Sequence, residues 1–584
     1  MKRQRRQRFI ALSLLLVVAT LLSYLGSFRG QFIFDDHDAI VANQDIQGLR
    51  PAAIRSTYGI TRQVVAYTVA FNFWLGGLEP FGYHVVNLLI HMAASVVLLQ
   101  IVSRLLVRSA WPRWSQLRGR RLSNAVGWIS FGAAMIFALH PLQTSAVTYI
   151  IQRMESLSAL FYLLMVLSAV RAFGSRHAWR WNAISVAFFG MAIFSKEHTI
   201  TAPAIVLMLD RAFLSRRWDV VLRRRWPLYL AYCVPLVFMM TLLSPKLHLP
   251  RLIGLQRVSV DLSEDMKEAR EHAEADLDES NPIIREVSRR AEAVPDATIR
   301  ALRGISLMEF MSNQPNVLLH YLRLYVAPVN QCFDYQWQPR QMSFRLVVSL
   351  IVVVSLFVVS ALVVIGPGSS ARTQLATIVL SFFAIHSPRC TFQILDLAVE
   401  YRMYLPIAVL APLSAILLYQ VGLRLGTMVD PDRAFLIGLS LISILLARQT
   451  IARNQLFQSR LRMWSDCVSK SPVNARAHRT LAGALAKNGQ FDEALTEIDT
   501  AVKLLKKPYL QQIDPGLVYR SMGDRHFDVG AFRDAEQAYL QAFKLNPGLP
   551  TVYWGLAGVA RENEDFESAE ALTAYGDSLT SASR

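Results

Sequence analysis

The chain is short of charge. Only 18% of its 584 residues are Asp, Glu, Lys or Arg, while 53% are hydrophobic, and soluble chains carry roughly 25% charge. A deficit of that size requires several bilayer-spanning segments, which excludes a soluble dehydrogenase and a DNA-binding domain. Cysteine is scarce too: Cys233, Cys332, Cys390 and Cys467 are the whole set. They are too few and too scattered for a disulfide framework or a metal cluster, which excludes a small secreted scaffold. Acids, at 43, fall well below the 61 Lys and Arg, so the net charge is +18.

That excess is concentrated. Lys2, Arg3, Arg5, Arg6 and Arg8 open the chain, residues 104–121 hold six Arg and no acid, Arg171, Arg176 and Arg180 follow, and residues 211–225 hold six Arg against Asp219. Each segment flanks an apolar run, the distribution expected of cytoplasmic loops. The charge is therefore topological, and no nucleic-acid partner is expected.

Eleven spans are expected, at about 9–27, 83–106, 123–140, 145–170, 181–195, 199–214, 226–244, 345–365, 374–386, 403–420 and 434–447. The first lacks a small-residue cleavage site and reads as an uncleaved anchor. Residues 317–329 are too short to span and end near Pro328, so they read as interfacial or re-entrant. Segments 28–80 and 245–315 fall on the outer face, and an odd number of crossings from a cytoplasmic N-terminus puts the tail there as well. Residues 1–448 thus form a membrane domain and 449–584 an external one.

The tail is repetitive. Gly516, Tyr519, Met522, Gly523, Gly530, Phe532, Ala535, Tyr539, Ala542 and Pro547 recur in part from Pro550 and, earlier, from near Ala475, at the roughly 34-residue period of tetratricopeptide units. The expected fold is all-α: a polytopic membrane bundle followed by a tetratricopeptide solenoid. Small residues at fixed offsets let paired helices approach, and stacked pairs form a groove.

Ionisable residues in or beside spans are costly and so are functional candidates. Asp35, Asp36 and Asp38 follow the first span, His84 and His91 lie in the outer half of the second, and His140 closes the third. Arg153 and Glu155 begin the fourth, Lys196, Glu197 and His198 cap the turn after the fifth, and Glu400, Arg402 and Tyr404 precede the tenth. All map to the outer face, which suggests a polar site there, roofed by segments 28–80 and 245–315. Taken singly they have plainer readings: solvated loop acids at Asp35 and Asp36, an Arg153–Glu155 pair, a snorkelling Lys196–Glu197 pair.

Several blocks resemble the transmembrane, tetratricopeptide-containing O-mannosyltransferases, and bacterial relatives among them. They are Phe34-Asp35-Asp36 with Ala42-Asn43; Gly76-Gly77 with Phe81-Gly82-Tyr83-His84-Val85-Val86-Asn87-Leu88-Leu89 and His91; and His140-Pro141-Leu142-Gln143-Thr144 with Gln152-Arg153. Ser195-Lys196-Glu197, Pro328-Val329-Asn330-Gln331 with Asp334, and Glu400-Tyr401-Arg402-Met403-Tyr404-Leu405-Pro406 complete the set. Gln63 departs from the Pro expected after Arg62, and the repeats are few. The resemblance implies a GT-C fold in which a polyprenyl-phosphate sugar, mannose or another hexose, is transferred to a Ser or Thr hydroxyl of an acceptor protein, with the repeat groove available for docking it.

An acceptor hydroxyl needs a carboxylate to take its proton. Asp35 or Asp36 suits that role, Asp36 by a narrow margin. The lipid phosphate that leaves needs cations or donors, for which Arg153, Lys196, His198 and Arg402 are the candidates. Glu197 and Glu400 would orient them, and His84, His91, His140, Glu155 and Tyr404 would support the site. A single displacement implies inversion. No cofactor is required, although Asp35, Asp36 and Asp38 are the set that would hold a divalent metal, as in whole-oligosaccharide transferases. The competing readings are a non-catalytic scaffold for envelope or glycan assembly, a lipid-linked-glycan flippase or polymerase, and a whole-oligosaccharide transferase. The expected location is a bacterial inner membrane with a periplasmic tail, or the ER membrane in a eukaryote. Cys332 and Cys390 are expected on the oxidising side as unpaired thiols.

Overall fold

A computed structural model describes residues 2–47, 62–109, 119–243, 282–293, 307–337, 343–367, 370–391, 396–425, 429–505 and 515–582. Among the described residues every regular element is helical. The chain opens with α1 (Lys2–Tyr24), then α2 (Gln63–Gly76) and α3 (Pro80–Leu106). Gly77 at φ 59° ends α2 in a conformation costly for other residues, and Pro80 starts α3 where its missing N–H is not needed. Helices α4 (Gly119–Leu139), α5 (Arg153–Ala172), α6 (Ala178–Ile193), α7 (Ala202–Leu209) and α8 (Trp218–Leu243) follow. After α9 (Pro282–Ala293) come α10 (Leu307–Val326), α11 (Phe344–Ile365), α12 (Ala371–Thr391), α13 (Tyr404–Arg424) and α14 (Pro431–Leu456).

Among the described residues seven helices are long and apolar enough to cross a membrane: those running through α1, α3, α4, α5, α11, α13 and α14. The protein is thus a multi-pass membrane protein. The outward side of α11, with Ile351, Val359 and Leu362 exposed, offers the apolar surface that lipid rather than water favours. Inside the bundle, Gly132 of α4 lies so close to α14 that a Cβ would sit 2.7 Å from Phe435.

The Arg-rich segments gather at one end. Arg8 bonds Asn124, Arg171 reaches Gln100, Arg216 donates to the Arg108 carbonyl and Arg211 to that of Gly366. The first loop, the Lys196 turn, Glu400 and the start of the tail lie together at the other. Of segment 245–315, helix α9 does not roof the polar site. It packs Ile284, Val287 and Ala291 inward and sits on the solenoid, with Arg290 paired to Glu536; residues 244–281 and 294–306 lie outside the described residues. Segment 28–80 is partly helical, because α2 turns Tyr67, Phe71, Trp74 and Leu75 outward.

Helix α14 continues past residue 448 to Leu456, so its polar last turns belong to the bundle. Three residues later Ser459 caps α15 (Arg460–Lys470) by accepting from the Arg462 amide. The solenoid stacks α16 (Ala475–Lys487) with α17 (Phe491–Leu505), α18 (Pro515–Asp528) with α19 (Phe532–Leu545), and α20 (Pro550–Glu562) with α21 (Phe566–Ala582). The small residues at repeat positions have a concrete cause. The Tyr539 ring lies against both Gly523 and Gly555, and a Cβ on either would approach it to 2.5 Å.

Candidate active site

The loop after α1 decides what its two acids can do. Phe34 is held at φ 44°, a conformation costing about 1–3 kcal/mol that surrounding packing must over-determine. Its ring meets Phe333 and Trp464 edge-on, and the Arg476 guanidinium lies over it at 5.2 Å. Past this pinned residue the acids diverge. Asp36 turns inward, fully buried, with Oδ2 accepting from the Ile33 amide at 3.0 Å and Oδ1 from the Ile151 amide at 2.7 Å. Burial pushes its carboxyl up to about 8 against the opposing pull of those amides. Asp35 points out and is exposed, and its N–H donates to the Tyr149 hydroxyl at 3.0 Å. The protein around its carboxyl still withdraws enough water to raise it, while hydrogen bonding to Tyr149 and the charge of Arg476 pull the other way.

The narrow preference for Asp36 as base is therefore corrected: with both oxygens on backbone amides and no access, it joins the first loop to the start of α5. Asp38 is exposed and apart from Asp36. Among the described residues no three His, Cys, Asp or Glu side chains converge as a metal site would require. Asp36→Asn should turn an amide NH2 toward one of the two backbone donors, leaving it unsatisfied. The expected cost is about 1–3 kcal/mol, read as a lowered melting temperature in detergent, with turnover per folded molecule largely kept.

A second cluster lies beside the loop. Glu155, in the first turn of α5, is buried and binds two cations, with the neutral His198 ring beside them. Lys196 Nζ is 2.9 Å from Oε1, Arg389 Nη2 sits 2.5 Å from Oε1 and 2.6 Å from Oε2, and His198 Nε2 is 3.7 Å from Oε2. His198 Nδ1 is also 3.1 Å from Arg389 Nη2, so with neutral imidazole Nδ1 is the acceptor; desolvation holds His198 well below its usual value. Lys196 Nζ lies 5.2 Å from the centre of the Tyr401 ring, and Tyr401 is within electrostatic reach of both Asp35 and Glu155. Two cations around one carboxylate leave a positive surplus beside an exposed carboxylate. Below the cluster an apolar cavity of about 100 Å³ opens between α3, α5, α7, α12 and α13, with Leu98, Tyr162, Ile205, Ile385 and Leu405 in its wall. Ile385 is followed by His386, whose Nε2 is buried without a hydrogen-bond partner, and then one turn on by Arg389.

Other sequence candidates are committed elsewhere. Arg153 does not pair with Glu155. Its fork donates to Asn87 Oδ1 at 2.6 Å and to the Thr68 and Tyr83 carbonyls at 3.0 and 3.1 Å, tying α2 to α3. Arg402 donates to the Leu397 and Asp396 carbonyls. Glu197 pairs with Arg62 and not with Lys196. Glu400 orients none of the proposed bases: it accepts from Ser145, Tyr335 and Arg453 in a buried knot under the tail. His84 reaches the Gly30 carbonyl, His91 joins Tyr404 Oη to the Ala138 carbonyl, and His140 bonds the Tyr325 carbonyl, all inside the bundle. Those three His and Tyr404 brace helices away from the Glu155 cluster.

The sequence reading missed Arg389, Tyr149, Tyr401 and Arg476. Arg389 was discoverable as a charge just beyond the apolar window 374–386, since α12 runs through Pro388 to Thr391. Arg476 of α16 grips Asp334 with both ends of its fork and also reaches Asp396, which brings the first repeat within range of Asp35.

Comparison with known proteins bears on both halves. A tetratricopeptide repeat family model matches residues 520–576. Protein O-mannosyl-transferase TMTC4 of Homo sapiens is 30% identical over 210 residues, 32% of this chain and 28% of that protein. Protein O-mannosyl-transferase Tmtc3 of Drosophila melanogaster is 25% identical over 582 residues, 93% of this chain and 59% of that one. TMTC3 of Mus musculus is 22% identical over 603 residues, 96% of this chain and 59% of its own length. The crystal structure of ArnT from Cupriavidus metallidurans bound to undecaprenyl phosphate aligns with 93% of this chain and 79% of that one, at 12% identity and a TM-score of 0.38. The chain spans less than two thirds of the length of these curated relatives. Along most of its own length it is similar to the transmembrane protein O-mannosyl-transferases, with a tetratricopeptide tail.

Proposed function

We propose that the protein is an integral-membrane glycosyltransferase of GT-C type, moving a hexose such as mannose from a polyprenyl-phosphate donor to a Ser or Thr hydroxyl of a protein at the outer face. The observation that carries this reading is the exposed Asp35 carboxylate beside the buried Glu155–Lys196–Arg389–His198 cluster at the head of an apolar cavity. A polyprenyl chain suits an apolar cavity, and its phosphate suits the cations above it. Asp35 takes the acceptor proton as the hydroxyl oxygen attacks the anomeric carbon. The bond from that carbon to the phosphate oxygen breaks, and its electron pair stays on the phosphate, where Lys196, Arg389 and His198 meet the developing charge. One displacement inverts the anomeric centre. Glu155 keeps two buried cations from repelling each other and fixes their direction.

The relatives' name, protein O-mannosyl-transferase, supports the same class. The scaffold reading gives no reason for an exposed carboxylate beside a buried cation cluster. The test is transfer from a polyprenyl-phosphate hexose to Ser/Thr peptides by the purified full chain, read as glycopeptides by mass spectrometry. Absence of transfer from every hexose donor, with Asp35→Asn complementing fully in cells, would leave the scaffold.

The cluster also sets a pH dependence. Desolvation lowers Lys196 to about 8, resisted by Glu155. Above that pH Lys196 becomes neutral, so KM for the donor should rise as pH passes about 8, while kcat should fall on acidification as Asp35 takes a proton. A pH-independent donor KM between neutrality and pH ~9 would remove Lys196 from the phosphate site.

A further inference from the structure

We infer that Cys332 and Cys467 form a disulfide that staples the first helix of the tail to the membrane domain, and that it holds in place the loop through which Arg476 reaches the site. The inference rests on the outer-face site of the proposed function, because the tail starts at the same end of the bundle as that site.

The two cysteines are 135 residues apart in sequence, yet their Sγ atoms are 3.5 Å from each other. Both are buried, Cys332 in the segment after α10 and Cys467 in α15. Each thiol points at the same acceptor, the Asp334 carbonyl, at 3.2 Å. A bond requires the sulfurs to close by roughly 1.5 Å, since a disulfide spans about 2.05 Å. Oxidation does not orphan the carbonyl they share, because Asn474 Nδ2 also donates to it at 3.0 Å. The segment around Cys332 is already pinned, with Asn330 at φ 56° and Gln336 at φ 41°. Lys470 Nζ donates to the Gln331 carbonyl and Ser471 Oγ to that of Tyr335. Oxidation therefore asks two buried sulfurs already in contact to close a short gap within a segment that is fixed on both sides. The remaining thiols are elsewhere: Cys233 is exposed on α8 and Cys390 lies on α12.

The chemistry balances with an external disulfide as oxidant, either a disulfide-bonded thiol oxidoreductase or a small-molecule disulfide. The thiolate of one cysteine attacks that disulfide and displaces one of its sulfurs as a thiol. The second cysteine then displaces the other, so two protein thiols are oxidised and the external disulfide is reduced to two thiols. The consequence for the site is local. Asp334 lies two residues beyond Cys332 and receives the Arg476 fork, and Arg476 in turn holds Asp396 near Asp35. Breaking the staple frees the loop that fixes Arg476.

The test uses the full chain in its native membrane, quenched with acid and labelled after denaturation with a thiol-reactive mass tag. Without reductant, two of the four cysteines should label, Cys233 and Cys390; after reduction all four should. Peptide mapping should find one linked pair, Cys332 with Cys467, lighter by two hydrogens than its parts. Cys332→Ser and Cys467→Ser should each release one additional labelled thiol, from the surviving partner. A compartment-specific reporter fused after Arg584 separates the two ways to fail. Four reactive thiols with an external tail overturn the disulfide alone. Four reactive thiols with a cytoplasmic tail overturn it together with the orientation. A linked pair other than Cys332 with Cys467 also overturns it.

Discussion

Asp35→Asn should lower kcat for sugar transfer by about 10²–10⁴-fold, the usual contribution of a positioned general base, while the protein stays inserted and folded. The Asp35 N–H to Tyr149 bond uses the backbone and survives the substitution. The side chain is exposed, and an amide oxygen there can still accept from the buried Tyr149 hydroxyl, so stability should change by less than about 0.5 kcal/mol. Donor KM should scarcely move, because the proposed phosphate site is at Lys196 and Arg389, not at Asp35. The neighbouring Asp36→Asn has the opposite signature, with stability lost and turnover kept. Two adjacent carboxylates thus give a matched pair of controls: if Asp36→Asn abolishes transfer in a protein that melts normally, while Asp35→Asn transfers at the normal rate, the base has been assigned to the wrong acid.

That pair also marks where reading the sequence stopped. The helices were visible because hydropathy over a span depends on composition, and composition is local. The repeat was visible because small residues at a fixed offset, such as Gly523 and Ala557 one 34-residue period later, let paired helices approach. Side-chain direction is not local. Whether Asp35 or Asp36 faces outward is set by Phe34 at positive φ, and that conformation is held by Phe333, Trp464 and Arg476, none of them within 290 residues of it along the chain. Arg153 and Arg389 show the same limit from opposite sides. Both are arginines at the end of an apolar segment, and both end up buried. One is consumed by Asn87 and two carbonyls of its neighbourhood, the other meets Glu155 from 234 residues away. Charge inside an apolar context points to a polar end of the bundle; it carries no information on which charge answers which.

The larger effect on stability is expected at Glu155. Glu155→Gln leaves Arg389 and Lys196 facing each other without their shared carboxylate, in a site where Glu155 is 2% and Arg389 6% exposed. Removing one partner of such a buried pair costs about 3–5 kcal/mol, because the other charge remains desolvated. Arg389→Gln should cost less, since Lys196 at 2.9 Å still neutralises the carboxylate. The double variant Glu155→Gln, Arg389→Gln removes one charge of each sign and should recover part of the loss, with a coupling energy of about 0.5–3 kcal/mol between the two sites. That recovery separates structure from chemistry. If the cluster only braces α5 against α12, the refolded double variant regains transfer along with stability. If Arg389 and Lys196 receive the donor phosphate, the double variant is stable, binds donor poorly and transfers slowly, because the recovered fold lacks the arginine fork that suits two phosphate oxygens. A double variant as active as it is stable would reduce the cluster to a brace and send the search for the phosphate site elsewhere along the cavity that Ile385 lines.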